Sequence, residues 1–496
     1  MSRTLSVTEH RAMLHDALSA ITDTDALTLP AAMMYTPSAH RPALYADSSV
    51  VRGGTGEGKT FWARALTDPR MRAIAAREYR MPRLERTEAV VGYGVRPDTA
   101  QPTAGELRAF AEWGVDPTAL WSAVTLTALG VPDLVGRTTW TERVDWLIRN
   151  PGATARSLAE LEAAARTGDT TRLVLFDALD ELHPNRERAE HLASGMLNLA
   201  VTLSRQTTRL RAKVFIRPDM LDGALSSVPR VDRSTLTSRS ADLSWSRGDY
   251  LGRLERSDLY GLFFQLLGSR DSAEAAAFRE AWPTWERTED GRFLAPAELR
   301  NDPAVQERAF TTLAGRFMGG NARRGHTYTY LSCHLQDARG IVTPRPFLAA
   351  LASALLHTTG SYPDHDRALH HDGLRHGARC GARAEELDRA MPWVRLALEP
   401  LAGNPLPIEE DDVLALWAKS GLTARLQEFA REAENENHGV RTGPRDTGTH
   451  PNLVEELISA GVMSRRTGGQ LDMPDTYRIA HRMGRRGGVG RATPAA

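Results

Sequence analysis

One eight-residue motif constrains this chain more than any other feature of its sequence. It fits the pattern G-x-x-x-x-G-K-[ST] without a mismatch and consists of Gly53, Gly54, Thr55, Gly56, Glu57, Gly58, Lys59 and Thr60. The chain has only three lysines, at positions 59, 213 and 419, so a lysine at the required place is a specific signal. An apolar stretch precedes the motif and a helical pattern follows it. We therefore predict a loop that connects a strand to a helix.

Each part of this motif is suited to binding phosphate. Glycines let backbone N–H groups fold around an anion without Cβ clashes, and the following helix points its positive N-terminus at that anion. Lys59 supplies a cation for the β- and γ-phosphates, and the Thr60 hydroxyl is a Mg²⁺ ligand. The motif predicts a P-loop that binds ATP and Mg²⁺. The sequence does not choose between ATP and GTP, although no guanine-specific string is present.

Short apolar runs alternate with helical patterns through the first half of the chain. This alternation predicts an α/β fold in which helices cover both faces of a parallel sheet, as in a P-loop NTPase. We predict strands near 45–52, 87–94, 172–177, 212–217 and 241–245, and helices near 59–67, 69–78, 154–166, 186–205 and 219–225. Residues 95–150 are tryptophan-rich and fit the alternation poorly, so they are predicted to be an insertion. Its tryptophans either pack a small helical subdomain or form a partner-binding surface.

A second motif follows the predicted third strand. The apolar run 173–176 ends in Asp177, and Asp180 and Glu181 come three and four residues later. A carboxylate at the end of a buried strand beside a P-loop can hold Mg²⁺, so Asp177 is predicted to join Thr60 as a metal ligand. Either Asp180 or Glu181 is then placed to orient or deprotonate an attacking water. We predict both as catalytic residues.

The same string carries a resemblance to a known family. LVLFDALDEL, at 173–182, resembles the second Walker motif of NACHT-type STAND ATPases. KVFIRPDML, at 213–221, resembles the strand that follows it there and usually ends in Thr-Ser-Arg-Pro. Arg217 matches this pattern, whereas Phe215 and Ile216 occupy the Thr-Ser positions. The resemblance implies that Arg217 contacts the γ-phosphate as a catalytic residue; the alternative is a structural arginine paired with Asp219.

Helical patterns dominate the second half of the chain, from about residue 247, where we predict no further strands until a C-terminal hairpin. RGIVTPRPFLAAL resembles the lid region of STAND and AAA+ ATPases, and this implies that Arg345 senses the nucleotide. A polar tract at 434–450 is predicted to be a flexible loop, and a helix and hairpin after it are similar to a winged helix. The predicted domains are a helical segment at 1–40, the NTPase domain at 41–246, an all-α lid at 247–405 and a winged-helix-like domain with a basic tail at 406–496.

The composition limits which cellular compartment and which binding partners can be expected for the chain. Sixty-two basic residues balance 62 acidic residues, so nucleic acid or an anionic membrane would have to be bound by a local patch. Two cysteines, Cys333 and Cys380, cannot build a disulfide framework, and no signal peptide is recognisable, which predicts a cytoplasmic location. No stretch approaches the roughly 20 apolar residues of a membrane span. We expect no membrane contact.

Together these features predict an ATP-binding and ATP-hydrolysing molecular switch of STAND/AAA+ type, in bacterial signalling or defence. Its lid and winged helix would move with the nucleotide and expose a surface for a protein partner or a homo-oligomer. The alternative is a DNA-acting AAA+ ATPase for replication, transposition or partition, which would use basic groups of the winged helix. Those groups are Arg465, Arg466, Arg478, Arg482, Arg485 and Arg486. A small-molecule kinase is less favoured, because it would not need so large a helical portion.

Overall fold

A five-stranded sheet forms the centre of the first half of the chain in the computed structural model. The structure describes residues 5–22, 31–94, 101–247, 256–282, 284–289, 291–435, 441–445 and 450–486. The strands are β1 Val50–Arg52, β2 Thr87–Tyr93, β3 Thr171–Phe176, β4 Leu210–Ile216 and β5 Ser240–Asp242. All pairs are parallel, in the order β2-β3-β4-β1-β5. The predicted α/β class is confirmed, with each strand close to its predicted position.

Helices cover both faces of this sheet, because its strands carry apolar residues on both sides. On β4, Val214 and Ile216 pack into one hydrophobic cluster and Phe215 into the cluster on the opposite face. Such two-sided burial is typical of parallel strands, which read as continuous apolar runs. The helices of this half are α1 Val7–Thr22, α2 Lys59–Thr67, α3 Pro69–Glu78, α4 Pro82–Glu85, α5 Ala104–Glu112, α6 Pro117–Ala128, α7 Pro132–Val135, α8 Trp140–Arg149, α9 Pro151–Thr167, α10 Arg186–Gln206, α11 Pro218–Ser226 and α12 Arg230–Ser238.

The tryptophan-rich segment between β2 and β3 is helical and packs against the sheet. Trp121 and Trp140 are buried in the same cluster as α10 and β3, and the Trp121 indole donates a hydrogen bond of 2.8 Å to the Leu192 carbonyl. Trp146 is partly buried, and Trp113 is 64% exposed. The tryptophans therefore pack this helical region for the most part, and one of them faces solvent.

The second half is mainly helical and has two hydrophobic clusters of its own. Met13, Leu14 and Leu18 of the N-terminal helix α1 are buried in the first of them, against α13 and α18. The helices are α13 Asp258–Gly268, α14 Ala273–Ala281, α15 Ala297–Asn301, α16 Pro303–Ala314, α17 Thr327–His334, α18 Pro344–Ser361, α19 His371–Gly377, α20 Ala382–Ala390, α21 Pro392–Leu398, α22 Glu410–Ser420, α23 Leu422–Asn435, α24 His450–Ser459 and α25 Asp475–Ala480. Among the described residues, no helix is both long and apolar enough for a membrane span.

The prediction of a strand-free second half before the C-terminal hairpin is wrong. Before that hairpin, β6 Ser246–Arg247 pairs with β7 Arg256–Ser257, and β8 Glu286–Arg287 pairs with β9 Phe293–Leu294. Strand β10 Pro405–Leu406 pairs with β13 Gly484–Arg485, and the hairpin itself is β11 Ser464–Arg465 with β12 Leu471–Asp472. Two-residue strands carry no periodic signal, so sequence patterns cannot reveal them. Helix α13 begins only at Asp258, after this first pair, and residues 248–255 lie outside the described residues. The predicted C-terminal hairpin is present as β11 and β12, and its winged-helix assignment stays a prediction.

The polar tract at 434–450 is not a free loop throughout. Residues 441–445 lie against the turn after β3 and are held there by backbone and side-chain hydrogen bonds. These five residues form no helix or strand, so the loop is confirmed for them, and its flexibility stays a prediction. The parts at 436–440 and 446–449 lie outside the described residues.

Candidate functional site

The glycine-rich loop connects the central region of the sheet to a helix. It begins where β1 ends, and the Gly53 amide extends the ladder by donating to the Ile216 carbonyl at 3.1 Å. Gly56 and Gly58 have φ angles of +78° and +103°, which side chains other than glycine rarely adopt. Helix α2 then begins at Lys59. Within the described residues, the backbone amides of Thr55, Gly56, Gly58, Lys59 and Thr60 donate to no protein group, so they form an unpaired donor set at a helix N-terminus.

Lys59 lies folded across this loop. Its Nζ donates to the carbonyls of Gly53, at 2.8 Å, and Gly54, at 2.9 Å. Burial lowers the pKa of Lys59, and the carboxylates of Asp180 and Asp177 oppose that effect. The lysine therefore lies in the field of the acidic residues that follow β3, as the two sequence motifs together predict.

Glu57 braces the loop from within. Its carboxylate is buried and accepts a 2.8 Å hydrogen bond from the Gly54 amide. Burial raises the pKa of Glu57, opposed first by that bond and then by the charge of Lys59. The Trp245 indole, just beyond β5, donates to the Glu57 carbonyl at 2.9 Å. The Glu57 side chain, although part of the predicted nucleotide-binding motif, thus stabilises the loop through a hydrogen bond within the motif.

Asp177 directly follows β3 and lies beside the first turn of α2. Its Oδ1 atom is buried and has no hydrogen-bond partner among the described residues. Burial raises the pKa of Asp177, and a hydrogen bond from the Thr60 hydroxyl is the main opposing effect. A buried carboxylate oxygen without a donor, next to a hydroxyl, is the kind of oxygen pair that Mg²⁺ takes as ligands. The residues present therefore fit the predicted Mg²⁺ site.

A tight turn brings two more carboxylates to this edge. Ala178 has φ +57°, a left-handed conformation that a non-glycine residue adopts at a cost of about 1–2 kcal/mol. The turn leads into a short 3₁₀ helix, Leu179–Glu181. Burial raises the pKa of Glu181, and the charge of Arg441 opposes it. Glu181 forms an ion pair with Arg441, which lies in the C-terminal half of the chain.

Arg217 follows β4, the strand between β1 and β3. It is buried and pairs with Asp219 through hydrogen bonds of 2.7 and 3.0 Å. Burial disfavours its charge, but the attraction of Asp219 is stronger and raises the pKa of Arg217. Asp219 also binds Arg186 at 2.9 Å. The structure thus contains the ion pair that was the alternative for Arg217, and the phosphate-sensing role stays a prediction.

Arg345 is placed at the first turn of α18, where it makes no hydrogen bond or ion pair with any described residue. Its predicted role as a nucleotide sensor stays a prediction. An arginine of the helical half that does hydrogen-bond the loop is Arg383, on α20. Its Nη1 donates to the Thr55 carbonyl at 3.0 Å. The sequence offered no signal for this contact, because arginine is common throughout the chain and Arg383 follows the loop by more than 300 residues.

Glu386, one turn after Arg383 on α20, lies directly against the glycine-rich loop. A Cβ added to Gly56 would lie 2.4 Å from a Glu386 carboxylate oxygen, so a larger residue there would displace that carboxylate. Glu386 accepts hydrogen bonds from Arg383, at 2.9 Å, and Thr343, at 3.1 Å. Arg383 also approaches the buried Asp337 at 3.4 Å. A buried ionic cluster of the helical half therefore rests on the loop.

The C-terminal arginines predicted as a DNA surface are mostly neutralised. Arg465, Arg466, Arg478 and Arg485 form ion pairs within the region, with Glu410, Glu455, Asp472 and Asp475. Arg482 and Arg486 make no ion pair within the described residues. The positive charge left over for phosphate is therefore small.

The sheet order, the glycine-rich loop after β1 and the aspartate after β3 define a P-loop NTPase fold. No protein-family model matches the sequence, and no curated protein matches it either. Among solved structures, the chain is similar to the ORC2 protein of Aeropyrum pernix, described as ADPNP–ADP complexes, at 14% identity over 89% of this chain and 88% of that one. The TM-score is 0.30, so this likeness supports no conclusion about function.

Proposed function

We propose that this protein binds ATP with Mg²⁺ at residues 53–60, hydrolyses it, and uses the nucleotide as a switch between two arrangements of its helical half. The observation that carries this proposal is that Arg383 and Glu386 of α20 rest directly on the glycine-rich loop. An anion bound beside Gly56 would lie close to the Glu386 carboxylate. Because like charges in a poorly solvated site repel strongly, phosphate binding and the present position of α20 oppose each other.

The residues present can hold such a ligand. The unpaired amides of the loop and Lys59 would hold the phosphates, and Thr60 and Asp177 would hold Mg²⁺. The bound Mg²⁺-nucleotide supplies the phosphoryl group to be transferred to water. Asp180 or Glu181 would orient that water and accept its proton, because both follow Asp177 at the same edge of the sheet.

The switch is of STAND/AAA+ type in this proposal, and it would act in bacterial signalling or defence through a protein partner or a homo-oligomer. Support comes from the string at 173–182 and from the contact of a helical half on the nucleotide loop. The DNA-acting alternative has less support, because four of its six candidate arginines are paired with carboxylates.

The nucleotide proposal is tested with two lysine variants. Lys59→Ala removes the charged donor of the loop, and charged hydrogen bonds are worth about 1.5–3 kcal/mol, so ATP affinity should fall about 10- to 100-fold. Lys419→Ala is the matched control, since Lys419 is exposed on α22. Binding is measured by titration calorimetry with Mg²⁺-ATP, and circular dichroism checks the fold. Equal ATP affinity in the two variants would remove the proposal.

A further inference from the structure

A short segment of the C-terminal half lies on the acidic turn of the site. We call residues 441–445 the clasp. The Thr442 amide donates to the Asp180 carbonyl at 3.0 Å, and the Thr442 hydroxyl contacts the carbonyls of Asp180, at 2.9 Å, and His183, at 3.0 Å. The Gly443 amide donates to the Pro184 carbonyl at 2.9 Å. The clasp is therefore hydrogen-bonded to the turn at 180–184 through two consecutive backbone amides and one hydroxyl.

The clasp also engages the side chain of a predicted catalytic residue. Arg441 forms an ion pair with Glu181, in which both side chains are about one-third exposed or less, at 31% and 27%. Its Nε donates to the Arg389 carbonyl of α20 at 3.2 Å. At its other end, Arg445 binds Glu190 of α10 at 2.7 Å. The clasp thus joins the acidic turn both to the helix that rests on the phosphate loop and to the NTPase core.

An ion pair of this kind limits what Glu181 can do. A carboxylate that accepts from a guanidinium has fewer lone pairs to orient a water, and the adjacent positive charge makes it a weaker base. The hydrogen bonds of Thr442 fix the backbone of Asp180 at the same time. One segment from the other half of the chain therefore holds the carboxylate of Glu181 and the backbone of Asp180.

We propose that the clasp is an autoinhibitory contact, which keeps Glu181 paired with Arg441 and hydrolysis slow until the helical half moves and withdraws it. This inference rests on the proposed ATPase function and names its regulation. Arg441 acts through Glu181 and is a positioning residue. Since the Arg441 contact to Arg389 ties the clasp to α20, movement of α20 and release of Glu181 are coupled.

The test uses the full-length protein and two substitutions at the clasp. Arg441→Gln removes the cation, and Thr442→Val removes the hydroxyl bonds at nearly constant shape. We expect each to raise kcat for ATP by about tenfold, a small part of the 10²- to 10⁴-fold that a positioned general base contributes. ATP affinity should not fall, because the clasp binds the acidic turn, α10 and α20, and loosening α20 favours phosphate binding. Arg441→Lys should keep the low rate, and Arg431→Gln, which alters an exposed ion pair on α23, is the matched control.

Hydrogen exchange with and without Mg²⁺-ATP distinguishes the proposed regulation from a purely structural role of the clasp. The Thr442 and Gly443 amides should exchange slowly in the free protein and faster with saturating Mg²⁺-ATP, because both are bonded to the acidic turn. An unchanged or lower kcat in Arg441→Gln would refute the autoinhibitory role of the clasp. So would exchange rates of the Thr442 and Gly443 amides that ATP leaves unchanged. Failure of the proposed function is a separate outcome, which the Lys59→Ala variant reports. If ATP binding depends on Lys59 but kcat is the same with and without Arg441, only the autoinhibitory role of the clasp is refuted.

Discussion

Replacing Gly56 by alanine tests whether α20 rests on the phosphate loop. The new Cβ would lie 2.4 Å from one Glu386 oxygen and 2.5 Å from the other, at a φ of +78°. Alanine in the left-handed region costs about 1–2 kcal/mol. The Glu386 carboxylate would also have to leave Arg383 and Thr343, which it binds at 2.9 and 3.1 Å. These charged hydrogen bonds are worth about 1.5–3 kcal/mol each, which brings the total to about 4–8 kcal/mol if both are lost and less if the side chain adapts.

The assay is native-state hydrogen exchange of the α20 amides, read by mass spectrometry. A local measurement is needed because a chain with several hydrophobic clusters does not unfold in one step. A loss of about 4 kcal/mol, the lower end of the range, corresponds to roughly 700-fold faster exchange, since each 1.4 kcal/mol is tenfold. Gly130→Ala is the matched control, because Gly130 has φ +82° and no atom within 4 Å of an added Cβ.

The same Gly56→Ala substitution in a Glu386→Ala protein tests whether the effect depends on Glu386. In a Glu386→Ala protein the obstructing carboxylate is absent, so Gly56→Ala should cost only the backbone strain of about 1–2 kcal/mol. The reasoning is refuted if Gly56→Ala speeds exchange in α20 no more than Gly130→Ala does. It is also refuted if the effect of Gly56→Ala is equally large in both backgrounds.

Three further predictions concern the acidic edge, the buried ion pairs and the C-terminal surface. Asp180→Asn and Glu181→Gln should both keep ATP binding, and the one that removes the water-activating group should lower kcat about 100-fold or more; two unaffected rates would exclude both residues. Burial disfavours the charge on Asp219, but the attraction of Arg217 and Arg186 is stronger and lowers the pKa of Asp219. The ionised Asp219 therefore contributes its full stabilisation of the fold above about pH 4, and this contribution is lost only as pH falls toward the lowered pKa. Asp219→Asn should therefore lower the thermal midpoint at pH 7, by an amount that shrinks at strongly acid pH; an unchanged midpoint at pH 7 would contradict this. For duplex DNA, the slope of log K against log salt should not exceed about 2 in magnitude, since two of the six arginines lack an ion pair; anisotropy titrations that gave a slope beyond about 4 would restore the DNA-acting function.

The NTPase core could be predicted closely from the sequence. Helices α2 and α3 have their predicted bounds, and β3 and β4 are shifted by one or two residues. The reason is physical: strands buried on both faces need uninterrupted apolar residues, and the glycine-rich loop needs its residues at fixed spacing. Local patterns of this kind are read from neighbouring residues alone.

The contacts made by the helical half could not be predicted in the same way. Arg383 and Arg441 reach the site from positions more than 300 and 250 residues away from their partners Thr55 and Glu181. Arginine is so frequent in this chain that no single one stands out in the sequence. Arg441 lies in a polar, glycine-containing tract, whose composition predicts a loop whether or not the loop binds a neighbour.

The long separation between the phosphate loop and the clasp has a consequence for how the protein is made. About 380 residues lie between Thr60 and Arg441, so a ribosome working at roughly 5–20 residues per second needs about 20 to 80 s to synthesise the second after the first. During that interval the sheet, whose last strand ends at Asp242, can fold before Glu386 and Arg441 exist. A nascent chain thus carries its phosphate loop and its acidic turn without either restraint. If the proposed function holds, nucleotide can reach the emerging core before Glu386 and Arg441 have been synthesised.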